Sequence, residues 1–512
     1  MPITATILEV ADSDPERLAL VGGDERLSYG ELVADSRTMV AVVDSLHRAQ
    51  PEPPTPAPET EGIPITAVST TSAFHTSRII AGLAGYRAVS ATIDPRWPLD
   101  HQVRVIRVTG IGLVISDSTD LAEALAAAEW TGTVITTTEF RAREAAVEPA
   151  PPPSVRAPDE PFLMLFSSGT TSNPKAFIKT RQQYRDNVAV SSAHLEPLPE
   201  VATLAPGPVS YSLTLYAVVE SLATGGSVHV ADEFAPIEMG RRIEVESVTR
   251  IVAVPAVVKA LAEAAARDPE RFAGIELVVT GGANLPASIR DRLGEVLLNT
   301  RLISYYGAAE IGFIGDSRDG DGTWITIYPT IGAEIRDEHG ARLPEGEIGT
   351  LWINAAACSH GYVTGTTEAV LRGPDGWATV DDQGRIENGL LQLAGRAGDI
   401  AITGGHKVSL PEVERAFETF SSRETGHDLG EVCAVALDDA NLGSIVALVV
   451  EVGHATALPD KTALLAHARA HLAPQFVPRR IFALDRLPRT VGGKIRRTET
   501  VDQIMKGRGQ RL

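Results

Sequence analysis

Cysteine is almost absent from this 512-residue chain: only Cys358 and Cys433 occur, far apart and without metal-ligand spacing. Their scarcity argues against a disulfide framework or a zinc knuckle, and it fits a reducing compartment. Basic residues are outnumbered, 46 Lys and Arg against 66 Asp and Glu, for a formal net charge of -20. Nucleic-acid backbones are held by clustered Lys and Arg, so no nucleic-acid partner is expected. No apolar run approaches the ~20 residues that span a bilayer, so no membrane insertion is expected either. The start of the chain carries Glu9, Asp12 and Asp14 instead of a basic segment followed by an apolar one, and reads as having no signal peptide. The expectation at this level is a cytoplasmic protein.

What is present is length and rhythm. At roughly 150 residues per domain the chain has room for several units. Proline-rich stretches at 50–64 and 148–161 read as loops, because proline cannot donate to a helix or sheet ladder. Short apolar strands alternate with helical segments: strands at 65–68, 91–93 and 112–115, helices at 76–86 and 102–109. The alternation resumes with strands at 227–231 and 275–279 and helices at 254–266 and 288–297. That pattern predicts an α/β fold with a largely parallel sheet. From about residue 323 to 396 strands and turns dominate, with a hairpin turn at Asp337-Glu-His-Gly-Ala341, which predicts a β-rich subdomain. After Gly395-Arg396 a small α+β unit begins. The expected division is a large N-terminal domain, 1–396, and a small, mobile C-terminal domain, 397–512.

The most informative stretch is Leu163-Met-Leu-Phe-Ser-Ser-Gly-Thr-Thr-Ser-Asn-Pro-Lys-Ala176. A buried strand delivers a loop of hydroxyls, Gly169 and Lys175, and backbone N–H groups, hydroxyls and an ammonium together suit a polyphosphate. It is not a GxxxxGK[ST] loop, since Pro174 stands where the second glycine belongs. The stretch resembles the phosphate loop, [ST]SG[ST]TGxPKG, of the adenylate-forming superfamily: acyl-CoA synthetases, nonribosomal-peptide adenylation domains and luciferases. Further segments match that superfamily in order. They are Leu277-Val-Val-Thr-Gly-Gly-Ala283, Ser304-Tyr-Tyr-Gly-Ala-Ala-Glu310 (compare YGxTE), Gly395-Arg-Ala-Gly-Asp-Ile400 (compare GRxDDxI) and Leu487-Pro-Arg-Thr-Val-Gly-Gly-Lys-Ile-Arg-Arg497. The resemblance covers roughly residues 15 to 500.

The resemblance implies ATP-dependent activation of a carboxylic acid to an acyl-adenylate, with release of pyrophosphate, then transfer to a thiol. It implies ATP, Mg²⁺ and coenzyme A as cofactors. Ser167, Ser168, Gly169, Thr170, Thr171 and Lys175 are expected to grip the phosphates. Gly281, Gly282 and Ala283 border adenine, with Tyr305, Tyr306, Gly307 and Ala309. Tyr306 is expected to stack on the base, and Glu310 and Thr170 to hold Mg²⁺. Asp382, or its neighbour Asp381, matches the ribose-binding carboxylate, and Arg396 reaches ribose or phosphate. Lys494 is the catalytic cation, with Glu310 and Arg396 beside it. Gly398 stands at the hinge, and Gly404, Gly405, His406 and Lys407 form the turn that enters the site for thioester formation. Glu412 and Glu414 go with that turn in the resemblance, and structurally read as an acidic pair favourable to a helix N-terminus. The chain departs from the pattern at Ser172 and Ala176, where glycine is usual, and at Ala309, where threonine is usual.

Amino-acid-activating members place an Asp where this chain has Ser212, and a buried ammonium without a carboxylate partner is costly. An α-amino acid is therefore disfavoured. Tyr211, Ser212, Gly282, Gly307, Ala308 and Phe313, with Val218, Val219 and Ile311 nearby, suggest an apolar or aromatic acid. The turn Thr403-Gly-Gly-His406 resembles that of acyl- and aryl-CoA ligases, which favours coenzyme A. The alternatives are a ligase loading the phosphopantetheine arm of a discrete acyl carrier protein, which would need no fused carrier domain, and a non-catalytic nucleotide-binding homologue.

Overall fold

The computed structural model describes residues 3–167, 174–283, 285–318, 323–403, 406–418, 420, 430–439, 441–453, 460–489 and 495–512. Among them the chain forms a mixed α/β structure, with a large N-terminal domain followed by a smaller C-terminal one. Their strands make a 13-stranded sheet and a pair of 6-stranded sheets.

One six-stranded sheet lies wholly in the N-terminal half. Its order is Thr133–Ile135, Leu113–Ile115, Ile65–Val68, Val89–Thr92, Pro161–Ser167 and Lys175–Thr180. Every neighbouring pair is parallel except the last. Ile65–Val68 and Val89–Thr92 are buried at every position, as expected of parallel strands covered on both faces. The sheet's last strands enclose the expected phosphate loop, whose residues 168–173 lie outside the described residues.

The 13-stranded sheet changes character part-way across. Leu18–Gly22, Ser227–Val230, Ala202–Ala205, Arg250–Ala253, Leu277–Thr280 and Arg301–Ala308 run parallel in that order. From Arg301–Ala308 onward, Gly312–Ser317, Trp324–Ile327, Leu390–Arg396, Asp382–Glu387, Gly349–Asn354 and Gly332–Arg336 follow antiparallel. The antiparallel run expected from residue 323 thus begins earlier and extends the parallel sheet edge-on. Ala309, Glu310 and Ile311 occupy the reversal itself. The turn at Asp337 forms as expected: Gly340 N–H donates to Asp337 O at 3.1 Å and Asp337 N–H to Ala341 O at 2.9 Å.

The remaining sheet belongs to the C-terminal part. It contains Ile400–Thr403, His406–Ser409, Val432–Asp439, Gly443–Glu451, Arg480–Leu484 and Gln510–Arg511, covered by the helices Leu410–Glu418 and Lys461–His471. Alternate positions of Gly443–Glu451 feed separate apolar clusters on its faces, Val446 and Leu448 on one, Ala447 and Val449 on the other.

Burial also sets a pH dependence. His229, on Ser227–Val230, is 0% exposed and its Nδ1 has no hydrogen-bond partner. Burial, assisted by Arg242 and Arg26, lowers its pKa from 6.5 to about 4, and burial alone does the same for His47. A depressed folded-state value means that the unfolded chain takes up the proton first. Stability is therefore complete above pH 6.5 and is lost as pH falls towards 4. Between pH 7.5 and 5 the wild type should lose on the order of 2 kcal/mol relative to a His229→Gln variant. Urea unfolding of both at each pH measures this, and a constant difference would contradict it.

Candidate active site

The reversal at Ala309–Ile311 follows the C-terminal end of a parallel strand, the place where open α/β sheets bind ligands. Its main chain is fixed from several directions. Tyr216 Oη donates to Ala309 O at 2.6 Å. Glu310 O accepts from Ser359 N–H at 2.8 Å and from Lys179 Nζ at 2.8 Å. The Glu310 side chain is 5% exposed, and Tyr362 Oη donates to its Oε1 at 3.1 Å. No group of three or more His, Cys, Asp or Glu able to hold an ion alone occurs among the described residues. A lone carboxylate such as Glu310 fits Mg²⁺, which takes its remaining ligands from phosphates and water.

Behind Glu310, the strands Arg301–Ala308, Asp382–Glu387 and Leu390–Arg396 bring Tyr306, Asp382 and Arg396 together. Tyr306 Oη donates to Asp382 Oδ2 at 2.6 Å, and Arg396 Nε to Asp382 Oδ1 at 3.3 Å. Burial raises the Asp382 pKa while the Arg396 charge opposes the rise; burial, then the Asp382 charge, pushes the Tyr306 phenol well up. Asp381, by contrast, has φ +65° and is exposed, and it takes no part in this Tyr306–Asp382–Arg396 cluster. Tyr305 lies one residue along the strand. It packs edge-on to Phe313 at 4.9 Å between centroids, and a side chain on Gly281 would meet its ring. It therefore groups with the expected acyl pocket rather than with Tyr306 and Asp382.

On the phosphate-loop side, Ser167 and Lys175 pair across the strands that bracket the loop. Lys175 Nζ lies 5.2 Å from the centre of the Tyr362 ring. Tyr362 thereby stands between Lys175 and Glu310, on a segment pinned to Lys175–Thr180 by the bond from Val363 N–H to Ala176 O at 2.7 Å. Ser168, Gly169, Thr170 and Thr171, expected on phosphate and metal, lie outside the described residues, as do Gly404, Gly405 and Lys494.

Around the residues expected to line the acyl pocket, buried aromatic rings pack against one another. Phe313 meets Tyr216 at 5.8 Å, and Tyr216 meets Tyr184 at 5.3 Å. Gly282, at φ +79°, brings its backbone near Leu213 and Val254, and Ala283 follows it, exposed. Gly307 cannot carry a side chain, since a Cβ there would lie 2.6 Å from Gly312 O. Ala308 packs with Ile311 and Ile314 in the antiparallel part. Ser212 opens the helix Ser212–Thr224, and Tyr211 precedes it with Arg96 over its ring at 5.6 Å. Burial pushes the Tyr211 phenol up to about 12.

At the junction, Gly398 lies in the short helix Ala397–Asp399, where an added Cβ would meet nothing within 4 Å. Gly395, at φ +116°, is the position that demands glycine, because a Cβ there would lie 2.8 Å from Asp399 Cβ. His406 and Lys407 are exposed, and Lys407 Nζ reaches Ile348 O at 3.1 Å. Glu412 sits in the first turn of its helix, as expected of a dipole partner. Glu414 does not serve that way: it is bound by the Arg497 guanidinium and accepts from Ala434 N–H at 2.7 Å.

Sequence reasoning passed over Tyr362, Tyr216 and Lys179. The one local signal was Lys179 itself, a charge inside the apolar run Ala176-Phe-Ile-Lys179.

A buried strand-end carboxylate with a Tyr–Asp–Arg cluster behind it fits a nucleotide-dependent enzyme, and sequence matches place the chain in the AMP-forming acid–thiol ligase class. Residues 75–363 match the model of the AMP-binding enzyme family, and residues 427–494 match that of the AMP-binding enzyme C-terminal domain. The chain belongs to the AMP-binding enzyme family, within the adenylate-forming superfamily. It is 26% identical over 505 residues to the uncharacterized acyl-CoA ligase YhfT of Bacillus subtilis, covering 97% of each chain. A Streptomyces salicylyl-CoA synthase / salicylate adenylyltransferase is 28% identical, with 98% of this chain and 94% of that one covered. In fold, the chain is similar to ATP-bound MatB from Rhodopseudomonas palustris: TM-score 0.84, 20% identity, 98% of this chain and 99% of that one.

Proposed function

We propose that this protein joins an apolar or aromatic carboxylic acid to coenzyme A through an acyl-adenylate. The observation that carries the reading is the convergence of Tyr306, Asp382 and Arg396 behind a Glu310 that Tyr362 holds beside Lys175. In the first half-reaction a substrate carboxylate oxygen attacks the α-phosphorus of ATP. The bond from that phosphorus to the bridging oxygen breaks, and pyrophosphate leaves. Bound at Glu310, Mg²⁺ would neutralise phosphate charge during this transfer. Lys175 and the loop before it grip the leaving pyrophosphate, Asp382 receives the ribose hydroxyls, and Tyr306 lies along adenine. In the second half-reaction the thiol of coenzyme A loses its proton, its sulfur attacks the acyl carbon, and AMP leaves with the carboxylate oxygen.

Residues 1–396 act as the adenylation core and 397–512 as a lid turning at Gly398. Support comes from the open space around Gly398 and from the polar, separable contacts between the parts, such as Lys407 to Ile348 O. A cytosolic location agrees with the free thiols of Cys358 and Cys433.

ATP–pyrophosphate exchange across a panel of carboxylic acids tests the reading. Exchange with an aromatic or aliphatic acid, and thioester formation on coenzyme A, are expected. ATP binding without exchange for any acid would make the chain a nucleotide-binding scaffold. A thioester found only on a carrier protein would replace the acceptor. Ser212→Asp should cut exchange with the native acid at least ~10-fold, by setting an unpaired carboxylate in an apolar pocket. Unchanged exchange would remove Ser212 from the pocket.

A further inference from the structure

Lys179 has no role in the chemistry outlined above, yet it is among the most unusual side chains in the molecule. It sits on Lys175–Thr180, the strand that leaves the phosphate loop, and is 1% exposed. Its ammonium donates to Glu310 O at 2.8 Å and to Ala357 O at 2.7 Å. These carbonyls belong to separate segments, the reversal that carries the metal-site carboxylate and the stretch that leads to Tyr362. The same stretch closes on the reversal through Ser359 N–H to Glu310 O. Lys175, which starts the strand, shares its face with Lys179, since residues four apart on a strand point the same way.

Building a cation into this position is expensive, and a leucine or methionine would pack there without desolvating an ammonium. What only the ammonium supplies is a pair of charge-assisted bonds, to Ala357 O and to a Glu310 O that also accepts from Ser359 N–H. One bond stands directly behind Glu310. The other holds the stretch whose Tyr362 grips the Glu310 carboxylate from the front.

We propose that Lys179 is a positioning residue for the divalent metal: it fixes the Glu310 turn relative to the phosphate-loop strand, so that carboxylate and phosphates meet one ion at the same spacing. The inference rests on the functional reading above, in which Glu310 holds Mg²⁺. Lys179 touches neither metal nor nucleotide. Its effect is transmitted by the main chain at Glu310 and by Tyr362.

The test uses the full-length protein and Mn²⁺ as a paramagnetic stand-in for Mg²⁺, with Mn²⁺·ATP binding followed by electron paramagnetic resonance. Wild type and Glu310→Gln come first: if Glu310→Gln binds Mn²⁺·ATP as wild type does, the metal assignment itself fails, whatever Lys179 does. With that assignment standing, Lys179→Met should weaken Mn²⁺ about 10- to 100-fold, the scale on which residues supporting a metal ligand act. ATP binding measured without metal should stay close to wild type. Lys179→Gln, which keeps N–H donors on a shorter arm, should recover part of the loss. Mn²⁺ affinity unchanged in either folded variant overturns the proposal. So does an equal loss of ATP binding with and without metal, which would mark Lys179 as part of the general framework. Should Lys179→Met not fold, Lys179→Gln alone decides on the same criteria.

Discussion

Lys494→Ala will abolish pyrophosphate exchange while leaving the conversion of supplied acyl-adenylate to thioester largely intact. During adenylation, negative charge moves among the carboxylate, the α-phosphate and the leaving pyrophosphate, and a single ammonium placed among them stabilises all three. Lys494, in the sequence Val491-Gly-Gly-Lys494, suits that task, since the long lysine stem carries a point charge that the proposed lid could later withdraw. Loss of ~100-fold or more in exchange is expected, on the scale of removing one charge-stabilising donor from an active site. Stopped-flow and exchange assays on the same preparation separate the half-reactions. Near-normal exchange would remove the C-terminal loop from catalysis and with it the two-state mechanism.

Asp382→Ala will act on the nucleotide side and should cost exchange about as much. Beyond the ribose role proposed for it, Asp382 is the acceptor for both Tyr306 Oη and Arg396 Nε. Deleting it removes charge-assisted bonds to the sugar and frees the ring expected against adenine. At about 1.5–3 kcal/mol for each bond to a charged group, a ~100-fold fall in kcat/KM for ATP follows. Asp382→Asn, which keeps an acceptor for the phenol, should fall less. If Asp381→Ala produces the loss and Asp382→Ala does not, the ribose carboxylate has been misassigned. The positive φ and exposure of Asp381 argue against that outcome.

Which parts of this molecule could be read from its sequence follows from how local each signal is. The strand at 65–68 forms where apolar and β-branched residues predicted it. The helix at 254–266 appears as Pro255–Arg267, with proline at its first position. Glu310, Tyr306 and Asp382 were legible because their motifs stand in a fixed order along the chain. Their mutual hydrogen bonds were not, since Tyr306 and Asp382 lie 76 residues apart and meet only through the antiparallel extension of the sheet. Tyr362 was hidden for the same reason. Its contact with Glu310 depends on a bridge to Phe177 across the sheet, which no local pattern encodes. Glu414 misled in another way: an acid in the second turn of a helix resembles a dipole partner until the distant Arg497 comes back to meet it.

Arg497 has a mechanical consequence. It sits three residues past Lys494 and at the start of the helix Arg497–Met505. Its Nε binds Asp399 Oδ1 at 2.7 Å, while Asp399 Oδ2 accepts from the Arg396 amide at 3.0 Å. One carboxylate thus links Arg396 through one oxygen and Arg497 through the other. In the lid rotation proposed at Gly398, Asp399 and Arg497 would travel together, and the bond to the Arg396 amide would be the one to part. Asp399 would then act as a detent, a weak catch that marks one stop of that proposed rotation.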